Sequence, residues 1–163
     1  MLNHDFFDMP EKIGVFLTQG FEEATAVYLT DQLRNAGLPV SVIGISGQPI
    51  RGQRGIKIEP DMTIGEIEPD QTFRLIIVSG GRQYITSSLI DPRVHKLLQQ
   101  TIQKNGYIAP IARAKEFLAD AGFFQEEEPP SFIISHDSKA LQEFVDELIK
   151  LASLEKLQPD ILQ

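Results

Sequence analysis

The sequence predicts a three-layer α/β fold, with a mostly parallel central sheet covered by helices on both faces. Two observations carry that prediction. Short apolar runs alternate along the chain with stretches whose apolar residues recur at helical spacing, the order that parallel strands and crossover helices require. The strongest run, Phe73 to Ser79 (FRLIIVS), is apolar almost throughout rather than alternating, as a central strand buried on both faces must be. The length of 163 residues suits one core. A single domain is expected over 12–154, between tails at 1–11 and 155–163.

Lys12 to Leu17 (KIGVFL) opens the domain as a buried strand closed by Thr18-Gln19-Gly20. From Glu22 the period changes: Ala26, Leu29, Leu33 and Ala36 line one helical face, acids occupy the first turn, and Gly37 stops the helix. Pro39 to Ile45 reads as the next strand. Gly47, Pro49, Gly52 and Gly55 then punctuate a turn-rich stretch holding a small hairpin with Ile56 to Ile58. Asp61 to Asp70 reads as a loop with one helical turn. After the central strand, Gly80-Gly81 opens a loop. Asp91-Pro92 supplies an N-cap and first position for a helix carrying Val94, Leu97, Leu98 and Ile102. Tyr107 to Ile111 is a further strand, followed by a short helix to Ala121. Gln125 to Pro130 is a polar linker, Phe132 to Ser135 a last strand, and Ser138 the cap of a final helix striped by Leu141, Phe144, Val145, Leu148, Leu151 and Ala152.

Composition narrows the function. The chain has no cysteine, which excludes disulfides, thiolate metal sites and thiol catalysis. A net charge of −8 disfavours binding to phosphate backbones, so no nucleic-acid partner is expected. No apolar run approaches the ~20 residues of a membrane span, and Met1 to Glu11 lacks the pattern of a secretory signal. The expectation is therefore a cytoplasmic protein without membrane attachment. No nucleotide motif and no convergent ligand spacing is present, so neither a cofactor nor a metal is expected.

Ligands of such sheets sit beyond the carboxyl ends of the strands. That rule places Thr18 to Glu23, Ser79 to Arg82, Ala112 to Arg113 and Ser135 to Ser138 around one crevice. Three segments in order carry a resemblance: Gly14-Val15-Phe16-Leu17 with Gly20-Phe21-Glu22-Glu23, Ile76 to Gly81, and Tyr107 to Ala112. Together they resemble the ThiJ/PfpI superfamily, which implies a flavodoxin-like fold shared with class I glutamine amidotransferases, and pairing into homodimers. The resemblance covers about 12–151. In active members it implies a nucleophilic cysteine on a strand-to-helix elbow, a carboxylate touching the thiol, and in many a histidine after the elbow helix. The matching positions here are Ala112 and Thr25, and the histidine has no counterpart. A methyl group neither attacks a carbonyl nor carries a proton. The resemblance thus implies the scaffold without its thiol chemistry.

The remaining candidates have competing readings. Gly80 and Gly81 form either a nest of N–H groups for an anion or a tight turn. Arg82 and Arg113 can clamp a carboxylate or phosphate, but pairing with Glu22, Glu23 or Glu116 is the simpler reading. Glu22 and Glu23 can act as acid and base, though adjacent acids at a helix start more simply complement its dipole. His136-Asp137 reads as a cap region rather than hydrolase parts. The sequence is therefore read as a non-catalytic module binding a protein partner or a small anion, with Glu22, Glu23, Gly80, Gly81, Arg82 and Arg113 as candidate ligand contacts. The alternative is a hydrolase or lyase of non-thiol mechanism with a glutamate as base and Arg113 as clamp.

Overall fold

The computed structural model describes residues 12–125, 127–137 and 139–153. The two expected tails lie outside the described residues, as does Ser138. The parallel sheet has five strands: β1 Lys12–Leu17, β2 Val40–Gly44, β5 Met62–Thr63, β6 Phe73–Ser79 and β7 Tyr107–Pro110, in the spatial order β5-β2-β1-β6-β7. A separate antiparallel hairpin joins β3 Ile50–Arg51 to β4 Lys57–Ile58, with Ile50 opposite Ile58. The helices are α1 Glu23–Asn35, α2 Arg82–Leu89, α3 Pro92–Gln103, α4 Ala114–Asp120 and α5 Leu141–Ser153.

The strand period of two divides the core into two layers. Ile13, Val15, Leu17, Leu75 and Ile77 pack with Leu29 and Leu33 of α1 and with Phe144, Val145 and Leu148 of α5. Phe16, Ile76 and Val78 face the other way, onto Ile85 of α2, Val94 and Leu98 of α3 and Phe117 of α4. Every residue of β6 is buried, as its unbroken apolar run requires. Gly14 sits where a side chain would meet Ile43 and Ile76 of the flanking strands. Among the described residues, no helix is long and apolar enough to cross a membrane.

Three parts of the chain depart from the sequence reading. The stretch after Gly81, read as a loop, forms α2; its Thr and Ser residues and its uncapped Gly81 hide the helix from propensity, and burial of Ile85 and Leu89 holds it. Phe132 to Ser135, read as a strand, makes only one bridge, Ile133 beside Ile108, with Ile108 N–H on Phe132 O at 2.8 Å and Ile134 N–H on Ile108 O at 2.9 Å. The ladder stops there because Pro110 lacks the N–H that would reach Ile134 O, and the Gly106 N–H on the other side is spent on Thr101 O at 2.8 Å. The 61–70 loop contributes the edge strand β5 as well as a 3₁₀ turn at Ile64–Glu66, where Glu66 accepts the Thr63 N–H at 2.7 Å.

One cation lies inside the fold. Arg74 on β6 is 8% exposed, its guanidinium stacks over Tyr107 at 5.7 Å, and its Nε–H donates to Leu151 O at 3.1 Å. It thereby satisfies a carbonyl in the last turn of α5 and ties that helix to the central strand.

Candidate functional site

Three strand ends are stitched together by backbone bonds. Thr18 N–H donates to Ser79 O at 3.1 Å, Gly81 N–H to Gln19 O at 2.9 Å, and Ile111 N–H to Val78 O at 2.9 Å. The loops after β1, β6 and β7 therefore share one crevice at the carboxyl end of the sheet, where ligands of parallel sheets bind. The fourth segment reaches it through Asp137, whose carboxylate lies 3.5 Å from Lys115 Nζ.

At the centre stands Ala112, exposed and at φ +56°. Left-handed backbone costs an L-residue roughly 1–2 kcal/mol. The chain thus turns sharply from strand to helix at a residue that carries only a methyl group. Ala112→Gly is expected to stabilise the protein by up to ~1 kcal/mol, since relief of the strain exceeds the extra freedom of glycine in the unfolded chain. Chemical denaturation measures the difference.

Arg113 follows at the start of α4. Its Nε and Nη2 donate to the two carboxylate oxygens of Glu116 at 3.0 and 2.8 Å, a two-pronged pair. The bonds from Arg113 hold the Glu116 carboxyl below its ordinary value against its partial desolvation, and the charges of Arg113 and Arg82 add to the effect. Arg82 begins α2 and stacks over the ring of Phe117 at 5.1 Å; Arg113 lies over the same ring at 5.8 Å. Unlike Arg113, Arg82 has no ion-pair partner among the described residues. A cation in the first turn of a helix opposes the helix dipole.

The glycine pair divides in role. Gly81 spends its N–H on Gln19 O, so it is not a donor for an anion. Gly80 N–H finds no acceptor among the described residues, and its Cα packs on the Thr18 side chain. Thr18 is 5% exposed and its hydroxyl has no partner there. An added methyl at position 80 would land on that hydroxyl. Gly80→Ala is expected to cost ~1–3 kcal/mol of stability by overpacking. Adding Thr18→Ala should recover most of it, as read by thermal melts of the single and double variants.

Glu22 and Glu23 have structural employment. Glu22 is the N-cap of α1, accepting Thr25 N–H at 3.0 Å, while its own N–H donates to Ser79 Oγ at 3.1 Å. Glu23 is 4% exposed, and its Oε2 accepts Arg54 N–H at 2.8 Å and Ile56 N–H at 3.0 Å. It therefore latches the β3–β4 hairpin onto the first crevice loop, beside Gly20 N–H on Arg51 O at 2.7 Å. Gly52 presses against the carboxylate and leaves no room for a side chain. Burial pushes the Glu23 carboxyl up. The N–H groups of Ile56, Arg54 and Glu23 itself, with the charge of Arg54, outweigh burial and hold it below 4.5. The stabilisation from such a depressed group is complete above the unfolded value and is lost as pH falls through the lowered one. The protection factors of the Arg54 and Ile56 amides, taken relative to their intrinsic exchange at each pH, are therefore expected to fall as pH drops below 4.5, while those of β1 and β6 hold. Glu23→Gln should show the faster exchange at neutral pH.

Thr25 is half-buried on α1. Asp137, at φ +43°, pairs with Lys115 and does not cap α5, which begins at Leu141; His136 stacks on Phe144 with ring centres 5.1 Å apart. Among the described residues, no group of three His, Asp or Glu is placed to hold a metal ion. Sequence reasoning missed Thr18 as an orphaned hydroxyl and Phe117 as the ring beneath both arginines. Only the close approach of loops distant in sequence makes either visible.

The DJ-1/PfpI family model matches residues 11–153. Protein dj-1beta of Drosophila melanogaster is 30% identical over 115 residues, covering 70% of this chain and 61% of that protein. A protein of Caenorhabditis elegans named glutathione-independent glyoxalase DJR-1.2 is 29% identical over 106 residues, covering 64% of this chain and 55% of that one. The chain thus spans little more than half the length of these relatives. The crystal structure of Drosophila melanogaster DJ-1beta superimposes with a TM-score of 0.72 at 24% identity, over 93% of this chain and 95% of that one.

Proposed function

The chain belongs to the DJ-1/PfpI family, and we propose that it is a non-catalytic member, a module that binds a protein partner or a small anion without turning it over. One observation carries the proposal: the elbow keeps its left-handed backbone at position 112, φ +56°, while the side chain there is a methyl group. Relatives named as a glyoxalase and as deglycases attach enzymatic activity to other members. In this chain the family's thiol position is Ala112 and its carboxylate position is Thr25. Retained geometry with vacant chemistry favours binding over turnover. Pairing with a second copy or another protein forms part of the proposal. Val27 on α1 and Ile56 beside the hairpin, 45% and 54% exposed, offer apolar area for it.

The non-thiol enzyme is the weaker reading. Glu23 is committed to two backbone N–H groups and is held below its ordinary value, which makes it a poorer base at neutral pH. Arg113 is already paired with Glu116. Steady-state glyoxalase and deglycase assays on the wild type, Glu22→Gln and Arg113→Gln decide between the two. Background rates in all three support the module; wild-type turnover that disappears in Glu22→Gln establishes the enzyme.

A further inference from the structure

We infer that the vacated elbow is a carboxylate-binding site in which Arg82 is the principal cation, an inference that rests on reading the chain as a binding module. In a chain of net charge −8, Arg82, Arg113 and Lys115 gather at one end of the sheet. Lys115 is paired with Asp137 and Arg113 with Glu116, so Arg82, which feels Glu116 only at a distance, is left with a guanidinium fork that makes no ion pair among the described residues. Phe117, 5% exposed, supports that fork from below. Such a planar, stacked fork matches a carboxylate through two parallel bonds.

A second, independent observation points to a ligand at the same place. The Thr18 hydroxyl is buried without a partner against Gly80, two residues before Arg82. A buried hydroxyl left unsatisfied in a native fold calls for a bound group or water. Beside it the Gly80 N–H finds no acceptor among the described residues, and at the starts of the α2 and α4 helices neither do those of Arg82, Ala112 and Arg113. The elbow that exposes the last two is strained, and strain of this kind concentrates at ligand sites.

Charge decides the ligand class. The two arginines, Glu116 and Glu22 of the first crevice loop carry no net charge together, so a monocarboxylate adds one negative charge to the field of an acidic protein and a phosphate dianion adds two. The carboxylate can come from a small free acid or from the C-terminus of a peptide.

The test is amide NMR titration of the full chain with sodium acetate, with inorganic phosphate, and with a neutral tetrapeptide in free-acid and amidated forms. Acetate is expected to shift the amides of Gly80, Arg82 and Arg113 and to bind more tightly than phosphate. Arg82→Gln should weaken acetate about tenfold. Glu116→Gln should strengthen phosphate more than acetate, a change that a merely structural Glu116 would not produce. Free-acid peptide binding more tightly than acetate assigns the source to a peptide terminus; equal binding assigns it to small acids, and both outcomes uphold the carboxylate. No shift with acetate, phosphate preferred by the wild type, or acetate binding unchanged in Arg82→Gln would each overturn the inference. None of those results bears on turnover, so the carboxylate site can fail while the binding module stands.

Discussion

Ala112→Cys is expected to acquire a reactive thiol without acquiring turnover. The elbow at φ +56° holds position 112 exposed, and Arg113, Arg82 and the start of α4 supply positive potential around it. An ordinary thiol of pKa ~8.5 is only about 3% thiolate at pH 7, and cationic surroundings lower that pKa. A fall of ~2 units would raise the thiolate fraction about twentyfold, and alkylation of the variant should outrun that of a free cysteine on the order of tenfold. Catalysis needs more than a thiolate. Thr25 stands where the carboxylate is expected, and the histidine expected after the elbow helix has no counterpart. Glyoxalase and deglycase rates of the variant should therefore remain at background. Slow alkylation would show that the cations do not act on the elbow. Turnover on this single change would show that the nucleophile alone separates the chain from an enzyme.

Phe144→Ala is expected to destabilise the fold more than any substitution at the crevice. Phe144 is fully buried in the core layer between β1, β6 and α1, and it also stacks on His136. Removing a buried phenylalanine costs ~3–5 kcal/mol, because the lost transfer energy is joined by the cavity left behind. For a chain of this size the melting temperature should fall by roughly 10 °C or more. The damage should spread to the crevice, since α5 packs on α1 and α1 begins at the first crevice loop. Ile90→Ser, at a position 78% exposed, is the matched control and should stay within about 0.5 kcal/mol of the wild type. Equal losses in the two variants would mean that α5 is not an integral wall of the fold.

The sheet was legible because its signal is local. Lys12–Leu17 and Phe73–Ser79 are apolar runs of strand length ending in turn residues, and Asp91-Pro92 announces a helix by cap chemistry that the structure reproduces, with Asp91 accepting Arg93 N–H at 2.9 Å. What escaped were elements stabilised from a distance. The α2 helix has no capping side chain and is held by the burial of Ile85 and Leu89, which becomes apparent only once α3 and the sheet are in place. The 132–135 segment has strand composition, yet one bridge is all that Pro110 on the neighbouring strand, lacking an N–H, allows.

The site was legible in outline for the same reason. Strand ends locate the crevice, and the missing cysteine is a matter of inventory. The employment of Glu23 was hidden, because its partners Arg54 and Ile56 lie more than thirty residues away, separated from it by β2 and β3. Gly80 and Gly81, equivalent in sequence, differ in structure because only Gly81 meets the Gln19 carbonyl.

The central claim is that the crevice binds without reacting, and a single-turnover experiment tests it most directly. Wild-type protein in excess over a glyoxalase or deglycase substrate is acid-quenched over time and the substrate is quantified. The account predicts substrate recovered unchanged beyond its uncatalysed decay, at every protein concentration. Loss of substrate that rises with protein and vanishes in Glu22→Gln would contradict it, and would return this chain to the enzymes of its family.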